Sequence, residues 1–261
     1  MTAARLDPIS FAIIPARAGS SRVADKNLLT VGDKSLIARA IESADPCDYV
    51  IVSTDYSFDR LMAEPSTRAE IERTSATGRF VYHRRPDYLC GPRVQLESVM
   101  LDALTWFRDH AVVGCVQEDD VLVLLQPTSP LRCKVDVAGA LDLFEERDAL
   151  FPHGDKAAVR RTRSVVSTTL MDAGPAAYFA GVMNGSFWEP FNPLKRPGTA
   201  DLSRVYTSNG AIFITTIGAL VETNTRMPEQ IRGFVMPSHR SVDVDSDDDL
   251  AKARSAAAAV E

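Results

Sequence analysis

No apolar run in this chain approaches the roughly 20 residues needed to span a bilayer, and the opening "MTAARLDPIS" has no apolar core of a signal peptide. A cytoplasmic protein without a membrane partner is the expectation. Cysteine is scarce: Cys47, Cys90, Cys115 and Cys133 stand far apart, with no C-x-x-C pair and no histidine at ligand spacing, so neither a zinc site nor a disulfide framework is indicated. The four histidines are scattered and no G-x-S-x-G is present, which leaves nucleophilic catalysis with little support. Positive charge is in deficit, with a formal net charge of −6, and this argues against general nucleic-acid binding while leaving room for a local anion site.

What is present alternates. "ISFAIIP" (9–15), "YVIVSTD" (49–55) and "VLVLLQP" (121–127) are apolar on both faces, as strands covered on two sides must be. Between them, "VQLESVMLDALTWF" (94–107) repeats apolar residues on one helical face. This alternation predicts an α/β fold with a mostly parallel sheet and helices on both faces. The pattern loosens over about 152–208, where Pro, Gly and aromatics gather, and an inserted arm is expected there. It resumes with "GAIFIT" (210–215), a helix near 216–223, "GFVMP" (233–237), a strand at the start of "SVDVDSDDDL" (241–250) and an Ala-rich terminal helix. With no repeat and no linker, residues 1–261 are expected to form one domain with an arm inserted at about 165–208.

Two short stretches carry chemistry. In "FAIIPARAGSSRVADKN" (11–27) a buried strand runs into small residues flanked by cations. Gly19 can take a positive φ, Ala18, Ser20 and Ser21 add little bulk, and Arg17, Arg22 and Lys26 supply the charge a polyphosphate requires. The spelling is neither G-x-G-x-x-G nor a Walker A motif, which disfavours a nicotinamide cofactor and a P-loop. A plain surface turn with solvated cations fits this stretch about as well taken alone. Near the other end, Asp243 and Asp245 are two residues apart and so share a face of an extended chain. Like charges so close raise each other's pKa unless a cation intervenes, and Mg²⁺ shared with substrate phosphate is the natural occupant, although an edge strand with solvated carboxylates fits this pair better taken alone. Asp247, Asp248 and Asp249 instead suit the first turn of a helix.

"IIPARAGSSRVADKN", "LLQPTSPLR" (124–132), "SNGAIFI" (208–214) and "SHRSVDVDSDDDL" (238–250) resemble, in order, four signatures of the N-acylneuraminate cytidylyltransferases, the CMP-sialic acid synthetases, which are related to the CMP-Kdo synthetases. The resemblance implies a Rossmann-like nucleotidyltransferase core and a homodimer closed by a dimerisation arm. It also implies transfer of CMP from CTP to the anomeric hydroxyl of an acidic α-keto sugar, releasing pyrophosphate. By position it implies nucleotide contacts from Ala16, Arg17, Gly19, Ser20, Ser21, Arg22, Lys26, Asn27 and Arg85, acceptor contacts from Gln126, Arg196, Asn209 and Phe213, and Mg²⁺ on Asp243 and Asp245. Arg17, Lys26, Asp243 and Asp245 form the expected catalytic set, while Ser129 and Arg132 fit acceptor orientation and turn capping equally.

Three departures mark the chain. Ser21 stands where the family usually has lysine, Pro92 interrupts a stretch that usually carries aspartate, and Phe213 replaces a tyrosine. Kdo or another acid such as a phosphonate as acceptor, or a non-catalytic nucleotide-binding homologue, are the alternatives these departures raise.

Overall fold

The protein is described here from a computed structural model covering residues 7–19, 23–110, 116–146, 148–153, 156–161, 163–170, 180–190 and 205–259. The strands are β1 (Ser10–Pro15), β2 (Thr30–Val31), β3 (Lys34–Ser35), β4 (Tyr49–Thr54), β5 (Phe80–Arg84), β6 (Val121–Leu124), β7 (Asp148–His153), β8 (Lys156–Arg161), β9 (Ser164–Leu170), β10 (Ala180–Asn184), β11 (Phe187–Pro190), β12 (Tyr206–Thr216) and β13 (Ile231–Val235). The helices are α1 (Leu36–Ser43), α2 (Phe58–Met62), α3 (Pro65–Ser75), α4 (Leu96–His110), α5 (Lys134–Glu145), α6 (Ile217–Thr223) and α7 (Asp247–Ala258).

Nine strands form one sheet in the order β10-β11-β13-β9-β12-β6-β1-β4-β5. Strands β6, β1, β4 and β5 run parallel, with Ile13 beside both Ile51 and Leu124, and β12 joins β6 antiparallel. Alternation along β1 explains why its sequence is apolar throughout. Ala12 and Ile14 enter a core with Ile37 and Ile41 of α1 and Val137 and Phe144 of α5. Phe11 and Ile13 point the other way, against Met100, Leu104 and Phe107 of α4. On that side Phe107 meets the Phe11 ring edge-on at 5.1 Å, a contact of ~1 kcal/mol beyond area burial. A mostly parallel sheet covered on both faces is therefore observed, as the alternation predicts.

Two local expectations change. Ser164–Leu170, inside the segment expected as an arm, is a strand between β12 and β13, with Val165 and Val166 wholly buried. Residues 241–245 form no strand: they run without ladder partners from a 3₁₀ turn at Ser238–Arg240 into α7, tied by the Val244 amide to the Thr128 carbonyl at 2.7 Å. Their alternation survives nonetheless, because Val242 and Val244 pack on Val31, Leu36 and Leu250. The acidic run that follows does open a helix. Ser246 is its N-cap, and the Asp249 carboxylate closes the capping box by accepting from the Ser246 amide at 3.1 Å.

Candidate functional site

Because β1, β4, β5 and β6 are parallel, the residues that follow them leave the same edge of the sheet. Arg17, Asp55, Arg85 and Gln126 are thereby brought to one crevice, the place where open α/β sheets bind ligands. The turn after β1 is held from β4. The Ala16 amide donates to the Ser53 carbonyl at 2.9 Å, the Thr54 hydroxyl donates to the Ala16 carbonyl at 2.5 Å, and the Ala18 amide donates to Asp55 Oδ1 at 2.6 Å. Asp55 is a fixing residue that the sequence did not single out; its signal was its place one residue past a strand end.

Gly19 does not adopt a positive φ; among the described residues of this stretch the left-handed one is Asp25, at φ 47°. Aspartate tolerates that conformation, and here Tyr56 Oη and Arg60 Nη2 donate to its carboxylate at 3.2 and 3.0 Å. Gly19 contributes openness instead: a Cβ built on it meets no atom within 4 Å. Ser20, Ser21 and Arg22 lie outside the described residues.

Lys26 and Asn27 begin a short 3₁₀ turn and are both buried. Asn27 turns back, donating Nδ2 to the Arg17 carbonyl at 2.9 Å, so its amide shapes the turn. Lys26 reaches across to the far end of the chain. Its ammonium donates to the Val244 carbonyl at 2.7 Å and to Asp245 Oδ1 at 3.1 Å. The cation-bearing turn and the segment that carries the paired aspartates, separated by more than two hundred positions, thus meet.

Asp243 sits beside this pair and accepts from the Thr128 hydroxyl. It keeps exposed surface, yet the protein around its carboxyl withdraws water and pushes its pKa above the usual carboxylate range, with Asp245 adding repulsion. Two carboxylates near enough to repel, one destabilised in its charged form, suit a divalent cation completed by substrate oxygens. Among the described residues there is no cluster of three or more ligating side chains, so the protein alone offers only a partial shell, as Mg²⁺ sites on nucleotides commonly do.

Arg85 is 3% exposed at the end of β5, donating Nη2 to the Ser53 carbonyl at 2.6 Å and Nε to Ser53 Oγ at 3.3 Å. Burial lowers its pKa, and Arg17 pushes in the same direction. Ser53 Oγ also meets His83 Nδ1 at 3.1 Å, and His83 Nε2 lies 3.3 Å from Asp102 Oδ2. This row, Asp102 to His83 to Ser53 to Arg85, resembles a nucleophilic triad only in residue type. Ser53 is fully buried, so the row positions Arg85 and attacks nothing.

On the other side of the crevice, Gln126 donates Nε2 to the Gly210 carbonyl at 3.0 Å, at a β12 irregularity where Gly210 has φ 73°. Arg132, one candidate for orienting an acceptor, is buried and committed to structure: Nε binds Ser43 Oγ at 3.0 Å, and Nη1 binds the Gln126 and Ala211 carbonyls at 3.0 and 2.7 Å. Ser129 Oγ is buried with no partner among the described residues. Asn209 is enclosed, donating to Ser241 Oγ at 2.9 Å and accepting from Ser167 Oγ at 2.6 Å. Phe213 lies in the α4-side core, its ring 4.9 Å from the Arg226 guanidinium, which pairs with Glu97 at 2.6 Å. Arg196 lies outside the described residues.

Residues 11–77 match the family model described as cytidylyltransferase. The chain is 28% identical over 244 residues to an N-acylneuraminate cytidylyltransferase of Streptococcus agalactiae serotype V, covering 91% of this chain but 51% of that protein, so it spans about half the length of that relative. It is 26% identical to a CMP-N,N'-diacetyllegionaminic acid synthase of Legionella pneumophila, covering 92% of both chains. In fold it is similar to a solved CMP:2-keto-3-deoxy-manno-octonic acid synthetase complexed with CTP, at TM-score 0.62 and 18% identity over 97% of this chain and 100% of that one. The segment from β1 into α3 thus matches the cytidylyltransferase model, and the chain as a whole is similar to the N-acylneuraminate cytidylyltransferases.

Proposed function

We propose that the protein is a CTP-dependent cytidylyltransferase that transfers CMP to the anomeric hydroxyl of a sialic-acid-like α-keto sugar and releases pyrophosphate. The observation that carries this reading is the Lys26 ammonium seated on Asp245 and the Val244 carbonyl, which joins a turn suited to phosphate to carboxylates suited to a cation. Such a transfer requires alignment and charge neutralisation rather than a side-chain nucleophile. Arg17 and Lys26 are the groups that would bear the triphosphate charge, with the open backbone at Gly19 allowing close approach. Arg85, fixed through Ser53, is the proposed nucleotide contact on the β5 side, and Gln126 the proposed acceptor contact. Asp243 and Asp245 would hold Mg²⁺, which, when bound, supplies positive charge at the phosphates and acidifies a nearby hydroxyl.

A homodimer belongs to this reading; of the arm expected at 165–208, residues 165–170 belong to β9 of the central sheet, and residues 171–179 and 191–204 lie outside the described residues. Exposed Leu170 and Val235, at the ends of β9 and β13, support an apolar contact with the second copy. No helix among the described residues is long and apolar enough to cross a membrane, and we place the enzyme in the cytoplasm with its nucleotide. Calorimetric titration with CTP and Mg²⁺ tests the site: Lys26→Ala and Asp245→Ala should each weaken binding by roughly tenfold or more. Unchanged affinity in both variants contradicts the proposed site.

A further inference from the structure

Behind the loop that carries Gln126 lies a cavity of about 370 Å³. Its charged lining comes from Arg39 and Glu42 of α1, Arg132, Lys134 at the start of α5, and His239 with Arg240 from the 3₁₀ turn before the aspartates. Glu42, the one carboxylate on this wall, is already neutralised by Lys34 at 2.9 Å. Asp136 answers Arg240 at 2.7 Å, and Asp33 reaches Arg39 at 3.6 Å. Arg132, Lys134 and His239 form no salt bridge among the described residues, although the Asp136 carboxylate acts on Arg132 from nearby.

Arg132 points to what is missing. Its side chain is sequestered at 3% exposure, and Nε and Nη1 are spent on Ser43, Gln126 and Ala211. Its remaining nitrogen, Nη2, bonds no described residue, although the side chain lines the cavity. A guanidinium presents its donors in a fixed fork that matches phosphate. Burial draws the Arg132 pKa down to about 10, with the nearby Asp136 carboxylate opposing it. The positive end of the twelve-residue α5 opens at Lys134 into the same space, partly offset by the Asp136 carboxylate in its capping box.

We propose that this cavity binds the phosphate group of a small anionic molecule, on the guanidinium edge of Arg132 with Lys134 and His239. The site is separate from the turn that carries Lys26 and does not depend on the reaction assigned above. It has a route to the crevice, since the guanidinium that would take the anion on Nη2 holds the Gln126 carbonyl on Nη1.

His239 makes the proposal measurable, because the chain has only four histidines and His239→Gln identifies its imidazole resonance. The full-length protein is titrated at constant ionic strength with inorganic phosphate, pyrophosphate or CMP, which separates free phosphate from a nucleotide's phosphate. We expect a saturable shift of the His239 signal with at least one of them, and a roughly tenfold weaker apparent Kd in Lys134→Glu. Lys134 is exposed, so a thermal unfolding curve verifies that this variant folds. Lys26→Ala should leave the His239 response intact. Absence of a saturable response to all three probes overturns the proposal, as does a response that Lys134→Glu leaves unchanged. A response lost in Lys26→Ala but kept in Lys134→Glu assigns the phosphate to the opening turn and likewise overturns it, while supporting the functional site.

Discussion

Lys26 Nζ lies 3.1 Å from Asp245 Oδ1 and 2.7 Å from the Val244 carbonyl, tying the turn after the first strand to a segment 219 positions away. The ammonium is nearly enclosed, whereas Asp245 keeps 44% of its side chain exposed, so a ligand can reach the carboxylate without dismantling the pair. Removing the lysine strips a donor from a buried carbonyl and a counter-charge from Asp245. Lys26→Ala should therefore cost ~1–3 kcal/mol of stability in urea unfolding, in addition to its effect on CTP use. A variant of unchanged stability shows that the ion pair contributes nothing to the fold.

Asp243 tests the trade between stability and chemistry. Its folded pKa is raised above the ordinary 3.8, so the native state binds more protons than the unfolded chain between those two values. Stability is lost as pH rises through that window, and the ionised group is a net burden at neutral pH. Asp243→Asn should raise Tm at pH 7, the gain should vanish below the ordinary value, and turnover should fall by about 100-fold or more. A lower Tm at pH 7 contradicts the assigned repulsion.

His83 gives the opposite slope. Burial is the main cause that lowers its pKa from 6.5; Arg85 and His110 push the same way and Asp102 opposes them. Over the interval below 6.5 the unfolded chain takes up a proton that the folded chain refuses, so stability falls as pH drops. His83→Gln should flatten that part of the stability profile between about pH 7.5 and 5, measured by denaturant unfolding. If the slope persists in the variant, another group is responsible.

Arg132→Met should be the most damaging of these changes. It leaves the Gln126 and Ala211 carbonyls and Ser43 Oγ without their donor, at ~1–3 kcal/mol for each acceptor orphaned. Thermal unfolding reads it directly; a Tm within a degree or two of the wild type would show that water or a neighbouring group replaces the guanidinium.

The legible parts of this chain were those written in local pattern. Phe11 to Ile14 alternate between two cores, and a two-sided strand reads as an uninterrupted apolar run. The inward alternation of Val242 and Val244 was likewise legible, although a single bond to the Thr128 carbonyl replaces the expected strand. What stayed hidden depends on partners distant in sequence. Arg132 reads as a solvated charge until Ser43 and Ala211 close around it, and His83 has no meaning before β5 lies beside β4 and α4 brings Asp102. Asp25 taking the left-handed conformation in place of Gly19 follows from the hydroxyl of Tyr56 and the guanidinium of Arg60, neither visible from the turn itself.

The central claim is the reaction, and pyrophosphate release by the purified chain with Mg²⁺ tests it most directly. Each of the four ribonucleoside triphosphates is paired with N-acetylneuraminate, N,N'-diacetyllegionaminate, 3-deoxy-manno-octulosonate and a phosphonate. The account predicts release with CTP and an α-keto acid sugar, far above the other nucleotides, and abolished in Asp245→Ala. CTP binding without release in any pairing, or release that depends on a different nucleotide, would contradict it.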